Sequence, residues 1–314
     1  MPPASALTRI SFVALTAAAI MLGTGGFYAR PQSPLPGVPT PGEAAQAVRP
    51  EMREACPGLI ASDRPRVNPA ALTPALEPAL LTPALLTLAA SAPSALRPDQ
   101  ARITYSGHST FVIESPKLVN IATDYNDYIR LRVLPDIVTM NHAHATHYTD
   151  RPDPDIKFVL RGWRSDGKPA NHDVTYSDVH VRSVSTNIRT FNGGTENNGN
   201  SVFIFDIGSL CIAHLGHLHH TLTQAQLDDI GHVDVLMVPV DGAYTMDMEG
   251  TVEVVQAIKA PLMMPMHVFN AVTLRRFLDR VGRQYDVEYA DTPSFVVSKT
   301  SLPGKGRFLV LPGY

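Results

Sequence analysis

Short apolar runs separated by turn residues follow one another along the chain from residue 101 onward. Ile137–Met140 and Leu262–Met266 are nearly unbroken apolar runs, and Arg102–Tyr105 alternates polar with apolar side chains. Continuous runs of this length are typical of buried strands, whereas alternation is typical of strands with one exposed face. Further strands are predicted over Thr110–Glu114, Leu118–Thr123, Phe158–Leu160, Val179–Val184, Ser201–Asp206, Leu210–Leu215 and Val233–Val238, and around Val287 and Val296.

Helices are predicted between and after the later strands. Thr223-Gln224-Ala225-Gln226 matches a capping box, which begins a helix. A second helix is predicted over Thr251–Lys259 and a third over Val272–Arg283, whose apolar residues fall on one face. Many strands with helices among and after them predict an α+β fold in which two sheets are sandwiched by helices.

The first hundred residues differ from the rest of the chain. Ile10–Ala29 carries no charge and is flanked by Arg9 and Arg30, which predicts a signal peptide or N-terminal membrane anchor over residues 1–30. Residues 31–100 hold more than half of the chain's 27 prolines and are expected to form a linker and a surface-lying segment. We therefore expect an exported protein, periplasmic or anchored facing the exterior, with its working domain over residues 101–314.

Composition and charge narrow the function classes. The chain is 44% hydrophobic with a formal net charge of -3, so it supports a sizeable core and has no basic excess for binding nucleic acid or a membrane surface. A small-molecule substrate is the expected partner, and the oligomeric state is left open. Cys56 and Cys211 form no metal-finger spacing and no disulfide framework. Cys211 is predicted to be a buried thiol, with a Cys56–Cys211 bridge as the alternative in an oxidising compartment.

Candidate chemistry is concentrated in histidines that follow one predicted strand. All twelve histidines lie after residue 107, and His142, His144 and His147 follow Ile137–Met140 directly. Side chains two residues apart on an extended backbone point the same way, so His142 and His144 can converge, and a turn can bring His147 round. Neutral imidazole is the commonest protein ligand for zinc, which favours a metal site over a polar loop with surface histidines.

Other side chains leave two interpretations open. His108, after Gly107, either hydrogen-bonds near the metal or supports a turn. His219 and His220 either face the site or cap the turn before the helix at Thr223. His214 lies in an apolar run and is predicted to be a buried, hydrogen-bonded histidine. Three aromatic residues either border the pocket or pack in the core: Tyr148, Trp163 and Tyr244.

The motif His142-x-His144-x-Thr146-His147 resembles the His-x-His-x-Asp-His hallmark of the metallo-β-lactamase superfamily. Other segments match in the family's order over most of residues 101–289, the first of them resembling the lactonase-like and RNase-Z-like branch. They are Ile103–Phe111 with Gly107-His108, then Asp124, Ala213–His217, Val238–Gly242 and Pro265–His267. The resemblance implies an αββα four-layer sandwich with a metal-dependent hydrolase site along one edge.

Three family positions are altered. Thr146 replaces the motif aspartate, His217 replaces the aspartate of a Leu-Gly-Asp segment, and Asn187 lies where a third-motif histidine is expected. The resemblance implies these metal ligands: His142, His144, His147, His217 and His267. All are neutral, and two dications about 3.5–4 Å apart normally need bridging anions. We therefore expect one ion rather than two, with zinc first and iron or another transition metal as alternatives.

Roles within this site follow from the same comparison. His142, His144 and His217 would hold the metal that generates hydroxide, and His147 and His267 are further ligands or hydrogen-bond the substrate. Since Thr146 cannot take a proton at neutral pH, the candidate catalytic residues are two carboxylates, either as acid/base groups or as acceptors that orient a histidine: Asp124 and Asp241.

Two function classes are compatible with these expectations. The first is an exported hydrolase in which metal-bound hydroxide attacks an ester, lactone or phosphodiester; Arg161 and Arg164 are the nearest candidates for a phosphate clamp. The alternative is a metal-binding protein of the same fold without hydrolytic turnover, which the lost carboxylates favour. Hydrolysis of β-lactams has less support, because the ligand pattern is not that of the antibiotic-hydrolysing enzymes.

Overall fold

The computed structural model describes residues 95–190 and 192–313. The signal or anchor predicted for residues 1–30 lies outside the described residues, as does most of the segment predicted for residues 31–100. Among the described helices, none combines the length and the apolar character needed to cross a bilayer.

Fourteen strands and three α-helices make up the described chain. The strands are β1 (Gln100–Gly107), β2 (Thr110–Glu114), β3 (Asn120–Ala122), β4 (Ile137–Met140), β5 (Phe158–Arg161), β6 (Asp173–Tyr176), β7 (Val179–Arg189), β8 (Thr195–Ile207), β9 (Leu210–His214), β10 (Val235–Pro239), β11 (Leu262–Met266), β12 (Asp286–Tyr289), β13 (Ser294–Ser298) and β14 (Arg307–Val310). The helices are α1 (Gln224–Ile230), α2 (Met248–Ile258) and α3 (Ala271–Val281), with a 3₁₀ turn over Lys299–Ser301.

The strands form two sheets that share one apolar core. A six-stranded sheet has the order β13-β1-β2-β3-β4-β5, and an eight-stranded sheet has the order β12-β14-β11-β10-β9-β8-β7-β6. A single buried cluster joins side chains of both, including Phe111 of the first sheet and Phe203 of the second. The unbroken apolar runs of β4, β10 and β11 are buried along their whole length, as expected for strands covered on both faces.

The helices of the described ranges pack on the eight-stranded sheet. Arg182 of β7 donates to the carbonyl of Ile230 at the end of α1 (2.6 Å), α2 contacts β10, and Phe277 of α3 lies 5.4 Å from Phe308 of β14 between ring centroids. The α+β class and the two-sheet sandwich are thereby confirmed, with the described helical layer on one of the two sheets.

Parallel pairing determines where the loops gather. β3, β4 and β5 run parallel in one sheet, and β9, β10, β11 and β14 run parallel in the other. The carboxyl ends of parallel strands in one sheet lie at the same edge, where ligands commonly bind. The loops that follow β3, β4, β9, β10 and β11 carry most of the predicted site residues, so the topology collects them.

The prediction of a free thiol at Cys211 is wrong. Cys211 lies in β9 with no exposed surface and is disulfide-bonded. The chain has one other cysteine, Cys56. The apolar run around Cys211 indicated its burial correctly, but an apolar run does not distinguish a buried thiol from a buried disulfide.

Candidate metal centre

Four imidazoles from three separate loops meet at one point. His108, His144, His147 and His267 each offer a ring nitrogen, and these atoms lie within 4.8 Å of one another. His108 comes from the turn between β1 and β2, His144 and His147 from the loop after β4, and His267 from the first position after β11. Both sheets therefore contribute to the group.

His217 adds a fifth imidazole beside these four. Its ring centroid lies 5.1 Å from that of His144, 4.9 Å from that of His147 and 5.0 Å from that of His267. It follows the short turn after β9, where its backbone N–H donates to the side-chain oxygen of Asn200 (2.8 Å). Neither ring nitrogen of the buried His217 has a hydrogen-bond partner.

Asp124 orients His147 from behind the group. Its Oδ2 lies 2.6 Å from Nδ1 of His147, and its Oδ1 accepts a bond of 3.0 Å from the amide of Asn141. The carboxylate and the imidazole are both fully buried. Because Nδ1 of His147 faces the carboxylate, its Nε2 is directed away from it and has no protein partner.

Asp241 lies beside His267, as Asp124 lies beside His147, but without the hydrogen bond. Its Oδ2 lies 3.0 Å from Nδ1 of His267, in a direction that does not meet hydrogen-bond geometry. Its Oδ1 accepts from three successive backbone N–H groups, those of Ala243, Tyr244 and Thr245. The carboxylate thus organises the loop after β10 while it faces a histidine of the group.

Thr146 connects the two more exposed histidines. Its hydroxyl lies 2.7 Å from Nδ1 of His144 and 3.0 Å from Nε2 of His108. A hydroxyl donates one hydrogen bond and accepts others, so Thr146 can serve both rings when one presents an N–H and the other a bare nitrogen. The residue at the altered family position therefore positions two imidazoles.

Burial favours the neutral form of four imidazoles at the site, those of His108, His144, His147 and His217. Burial, reinforced by neighbouring histidines, lowers the pKa of His108 to about 3 and that of His217 to about 2. Burial likewise lowers the pKa of His144 and holds that of His147 well below its usual range. Neutral imidazole is the form that binds a metal ion.

The two carboxylates differ in their protonation. Burial raises the pKa of Asp124 to about 6, against the opposing effect of nearby histidines and Asn141. Burial acts in the same direction on Asp241, but His267 and hydrogen bonds from Thr245 and Ala243 hold the pKa of Asp241 well below its usual range. At neutral pH both are carboxylates, and Asp124 is the one closer to taking a proton.

The residues present fit a transition-metal ion. Four buried ring nitrogens at the site have no protein partner and face no carboxylate: Nε2 of His147, both nitrogens of His217 and Nε2 of His267. A buried polar atom without a partner costs about 1–3 kcal/mol, and several together on neutral imidazoles indicate that a cation normally supplies the missing partner. An all-imidazole set suits zinc, iron, copper or nickel.

Backbone strain accompanies the site. His108, Asp124 and His267 have φ values of 52°, 44° and 58°, which place them in the left-handed region. Non-glycine residues adopt this conformation at a cost that surrounding structure must offset, and such residues cluster at functional sites. Three candidate site residues therefore also have a strained backbone.

His142 does not join the group, although the motif pairs it with His144. Its Nδ1 lies 2.6 Å from Oε1 of Glu196, and its ring stacks on Trp163 at 5.0 Å between centroids. The two-residue periodicity of a strand does not apply here, because residues 142–147 form bends and turns. The backbone N–H of His142 donates to Gly199 (2.9 Å), which holds this residue along β8.

The remaining histidines and aromatic residues have structural partners. His214 is buried and its Nε2 lies 2.8 Å from the carbonyl of Ser109, which confirms the predicted buried histidine. His219 and His220 both bond the backbone of Asn187, so they brace the end of β7. Tyr148 and Trp163 pack together beside His142.

The sequence pattern leaves His108 with two possible roles, near the metal or in a turn, and indicates no role for Asn141. His108 belongs to the metal-capable group, and Asn141 positions Asp124 while its side-chain oxygen accepts from the backbone of Ser201 (2.9 Å). The signal for His108 was its place after Gly107 at a tight turn between two strands. Asn141, between a buried strand and His142, carried no comparable signal.

Comparisons with known proteins find a matching domain family and similar sequences. Residues 102–267 match the beta-lactamase superfamily domain. A UPF0173 metal-dependent hydrolase of Salinibacter ruber is 23% identical over 222 residues, covering 63% of this chain and 98% of the relative. A second protein of that name, from Thermoplasma volcanium, is 25% identical over 187 residues, covering 53% and 82%.

One solved structure is also similar. It is a protein of Thermotoga maritima proposed to be a zinc-dependent hydrolase of the metallo-β-lactamase superfamily. Its structure matches with a TM-score of 0.50 and 28% identity, over 67% of this chain and 98% of that one. The described sandwich is thus of the metallo-β-lactamase type.

Proposed function

The chain belongs to the metallo-β-lactamase superfamily, and from this premise we propose that it is an exported metal-dependent hydrolase of an ester, lactone or phosphodiester bond. The relatives named as metal-dependent hydrolases support the reaction class. The single observation that carries the proposal is the convergence of imidazoles whose buried nitrogens have no protein partner.

The ligands would come from both sheets. His147 and His267 would use Nε2, since Nδ1 of each faces a carboxylate, and His217 would use either nitrogen. His144 would use Nε2, because its Nδ1 faces Thr146. When bound, the metal supplies Lewis-acid polarisation of a carbonyl or phosphoryl group and lowers the pKa of water. We propose one ion, because no carboxylate replaces the family's bridging ligand.

Two aspartates would orient the metal-binding imidazoles, and one of them would also hold a proton for the reaction. Asp124 and Asp241 fix the ring orientation of His147 and His267, which keeps their metal-binding nitrogens directed at one point. Asp124, with its pKa near 6, is the group of the pair that can hold a proton near neutral pH. His144 is exposed, so it lies on the solvent side of the group, where a substrate would enter.

An alternative function has a specific observation in its favour. Thr146 and His217 stand where the family has carboxylates, so the protein could bind metal and perform no hydrolysis. In that case the imidazole group would serve sensing or storage, and metal would remain bound without turnover on any substrate class.

Metal analysis combined with activity assays tests these proposals. Purified protein is analysed for bound metal and assayed on generic ester, lactone and phosphodiester substrates with and without chelator. Turnover that chelator abolishes supports the hydrolase; bound metal without turnover supports the alternative. His147→Ala and His267→Ala should lose the metal, whereas His232→Ala, a histidine outside the group that bonds Asp234, should retain it.

Export is a separate proposal. It rests on the uncharged run Ile10–Ala29 between two arginines, and the disulfide at Cys211 supports it, because disulfides persist in oxidising compartments. N-terminal sequencing of protein recovered from the periplasmic and membrane fractions tests it. Recovery of the full chain in the cytosol with reduced cysteines would contradict it.

A further inference from the structure

Two exposed aromatic side chains lie beside the metal-capable group. The ring of Phe269 lies 4.9 Å from that of His267 and 5.7 Å from that of His108, between centroids. Tyr244 contacts Phe269 edge-on at 5.2 Å. Yet Phe269 is 53% exposed and Tyr244 is 65% exposed. Phe269 therefore contacts two candidate metal ligands, and together with Tyr244 it offers apolar surface to solvent beside the site.

Exposed large hydrophobic side chains occur in two segments that each approach the imidazoles at one residue, Phe269 in the first and Ile129 in the second. Among the large hydrophobic residues exposed in the described chain, three fall in the segment from residue 244 to residue 272 and three in residues 127–134. They are Tyr244, Phe269 and Val272, and Tyr128, Val133 and Leu134. The second segment reaches the turn before His108, because a Cβ on Gly107 would lie 3.8 Å from Ile129. Clustered exposure of this kind commonly marks a binding surface.

The loop that carries Tyr244 is held in place. Asp241 accepts hydrogen bonds from the backbone N–H groups of residues 243–245, and Arg189 donates to the carbonyls of Ala243 (3.2 Å) and Thr245 (3.4 Å) on either side of Tyr244. The aromatic ring is therefore presented from a braced backbone, and the guanidinium of Arg189 is engaged in bracing it.

No fixed cation contacts the imidazoles in the described chain. Their side-chain hydrogen bonds, ion pairs and ring contacts are with one another, with Thr146 and Phe269, and with the carboxylates Asp124 and Asp241, and none is with a lysine or an arginine. A phosphodiester site needs fixed cations close to the reacting group. An uncharged ester or lactone needs none beyond the metal.

We propose that Phe269 and Tyr244 bind an apolar acyl chain or ring of the substrate, so that the site prefers an uncharged ester or lactone with a bulky apolar acyl group. This proposal rests on the proposed hydrolase function and deepens it by naming the substrate class. The aromatic pair acts as a specificity determinant, because it contacts the acyl group and leaves the reacting atoms to the metal centre.

The test compares acyl chain lengths in the full-length protein. Hydrolysis of 4-nitrophenyl acetate, butyrate and octanoate and of bis(4-nitrophenyl) phosphate is measured with and without chelator. We expect kcat/KM of the wild type to rise on the order of tenfold from butyrate to octanoate. Phe269→Ala and Tyr244→Ala should remove most of that rise, so that the ratio of kcat/KM for octanoate to kcat/KM for acetate falls severalfold in each variant.

Tyr289→Ala is the matched control, because Tyr289 is an equally exposed aromatic residue (60%) on β12; it should keep the octanoate preference. Equal kcat/KM for all three esters would contradict the proposed substrate class, as would equal losses on acetate and octanoate in the variants. Neither result would contradict the hydrolase function. Chelator-sensitive cleavage of the phosphodiester alone would contradict the substrate class in the same way.

Binding without turnover separates this proposal from the hydrolase function. If no substrate class is turned over, the hydrolase proposal fails. Ligand-observed NMR with N-methyloctanamide and N-methylacetamide then tests whether Phe269 and Tyr244 bind an apolar acyl chain. The proposal is supported if saturation transfer to the octanamide chain falls severalfold in Phe269→Ala and stays unchanged in Tyr289→Ala. Equal transfer in wild type and Phe269→Ala overturns it.

Discussion

At the scale of single residues, the candidate centre depends on carboxylates that do not themselves join the imidazole group. Asp124 and Asp241 face the Nδ1 atoms of His147 and His267, so each determines which nitrogen the ring presents. A carboxylate in this position also makes the imidazole a better metal ligand. Aspartate has thus kept a role at this centre although the family's own aspartate positions are Thr146 and His217.

Asp124→Asn tests the orienting carboxylate. The amide cannot accept from Nδ1 of His147 as strongly as a carboxylate does, and it can present a competing donor. We expect metal affinity to fall on the order of 10- to 100-fold, measured by competition with a chelating indicator. Asp166→Asn, at a carboxylate paired with exposed Arg164, serves as control. Unchanged affinity in Asp124→Asn would show that His147 needs no orienting partner.

At the scale of elements, local sequence signals determine where helices begin. Thr223 caps α1 by accepting from the backbone N–H of Gln226 (3.2 Å), and Gln226 accepts in return from the N–H of Thr223 (3.0 Å). Asp247 and Asn270 cap α2 and α3 by accepting from the backbone N–H groups of Gly250 and Thr273. Such caps satisfy N–H groups that have no partner within the helix.

Thr223→Ala removes the cap of α1. We expect the free energy of unfolding to fall by about 1 kcal/mol, measured by urea denaturation monitored by circular dichroism. Thr221→Ala, at an exposed threonine just outside the capping box, should change it by less than about 0.5 kcal/mol. Equal effects of the two substitutions would mean that the cap adds no stability.

A histidine on β7 couples sheet stability to pH. His180 is opposite Asp206 of β8; its Nδ1 lies 2.9 Å from Asp206 and its Nε2 2.9 Å from Asp173, and Arg182 lies 3.8 Å from the same oxygen of Asp206. The hydrogen bond to Asp206 is the main cause that raises the pKa of His180, against burial and with help from Asp173.

A raised folded-state pKa stabilises the protein fully below the unfolded value of about 6.5 and less as pH rises through the folded value. His180→Asn should therefore destabilise more at pH 5.5 than at pH 9, as measured by urea denaturation at both pH values. Thr175→Ala, at the non-titrating residue opposite His180 on β6, should show no such difference. A pH-independent loss in His180→Asn would contradict the charged pair.

Strand bounds are predicted correctly where an apolar run has sharp ends, and incorrectly where polar residues extend the strand. β2, β4 and β11 have the predicted bounds because their apolar runs begin and end sharply. β8 begins at Thr195, six residues before the prediction, because its polar first half pairs with β7 in a long hairpin. β6 and β14 were not predicted.

At the scale of the whole molecule, the candidate metal centre takes its histidines from both sheets. His108, His144 and His147 belong to loops of the six-stranded sheet, whereas His217 and His267 belong to loops of the eight-stranded sheet. A ligand that binds only the folded state stabilises it in proportion to the logarithm of its concentration over Kd. Bound metal should therefore stabilise the packing of one sheet on the other.

Metal removal should lower the Tm. At a free metal concentration 100 times Kd, bound metal contributes about 2.7 kcal/mol, so protein treated with chelator should unfold at lower temperature in calorimetry, and readdition of zinc should restore the Tm. His147→Ala should have a Tm that chelator does not change. A wild-type Tm that is independent of metal would contradict an ion held by both sheets.

The sequence by itself determined the strands with sharp apolar boundaries, the capped helices and the identity of the histidine-rich loop, because these depend on side chains close together along the chain. Only the tertiary structure decided which imidazoles meet. It included His108, placed His217 beside the group and left His142 stacked on Trp163. The reason is physical: convergence depends on loop conformation and on how parallel strands of two sheets align their ends, and neither is encoded in the spacing of residues within one motif.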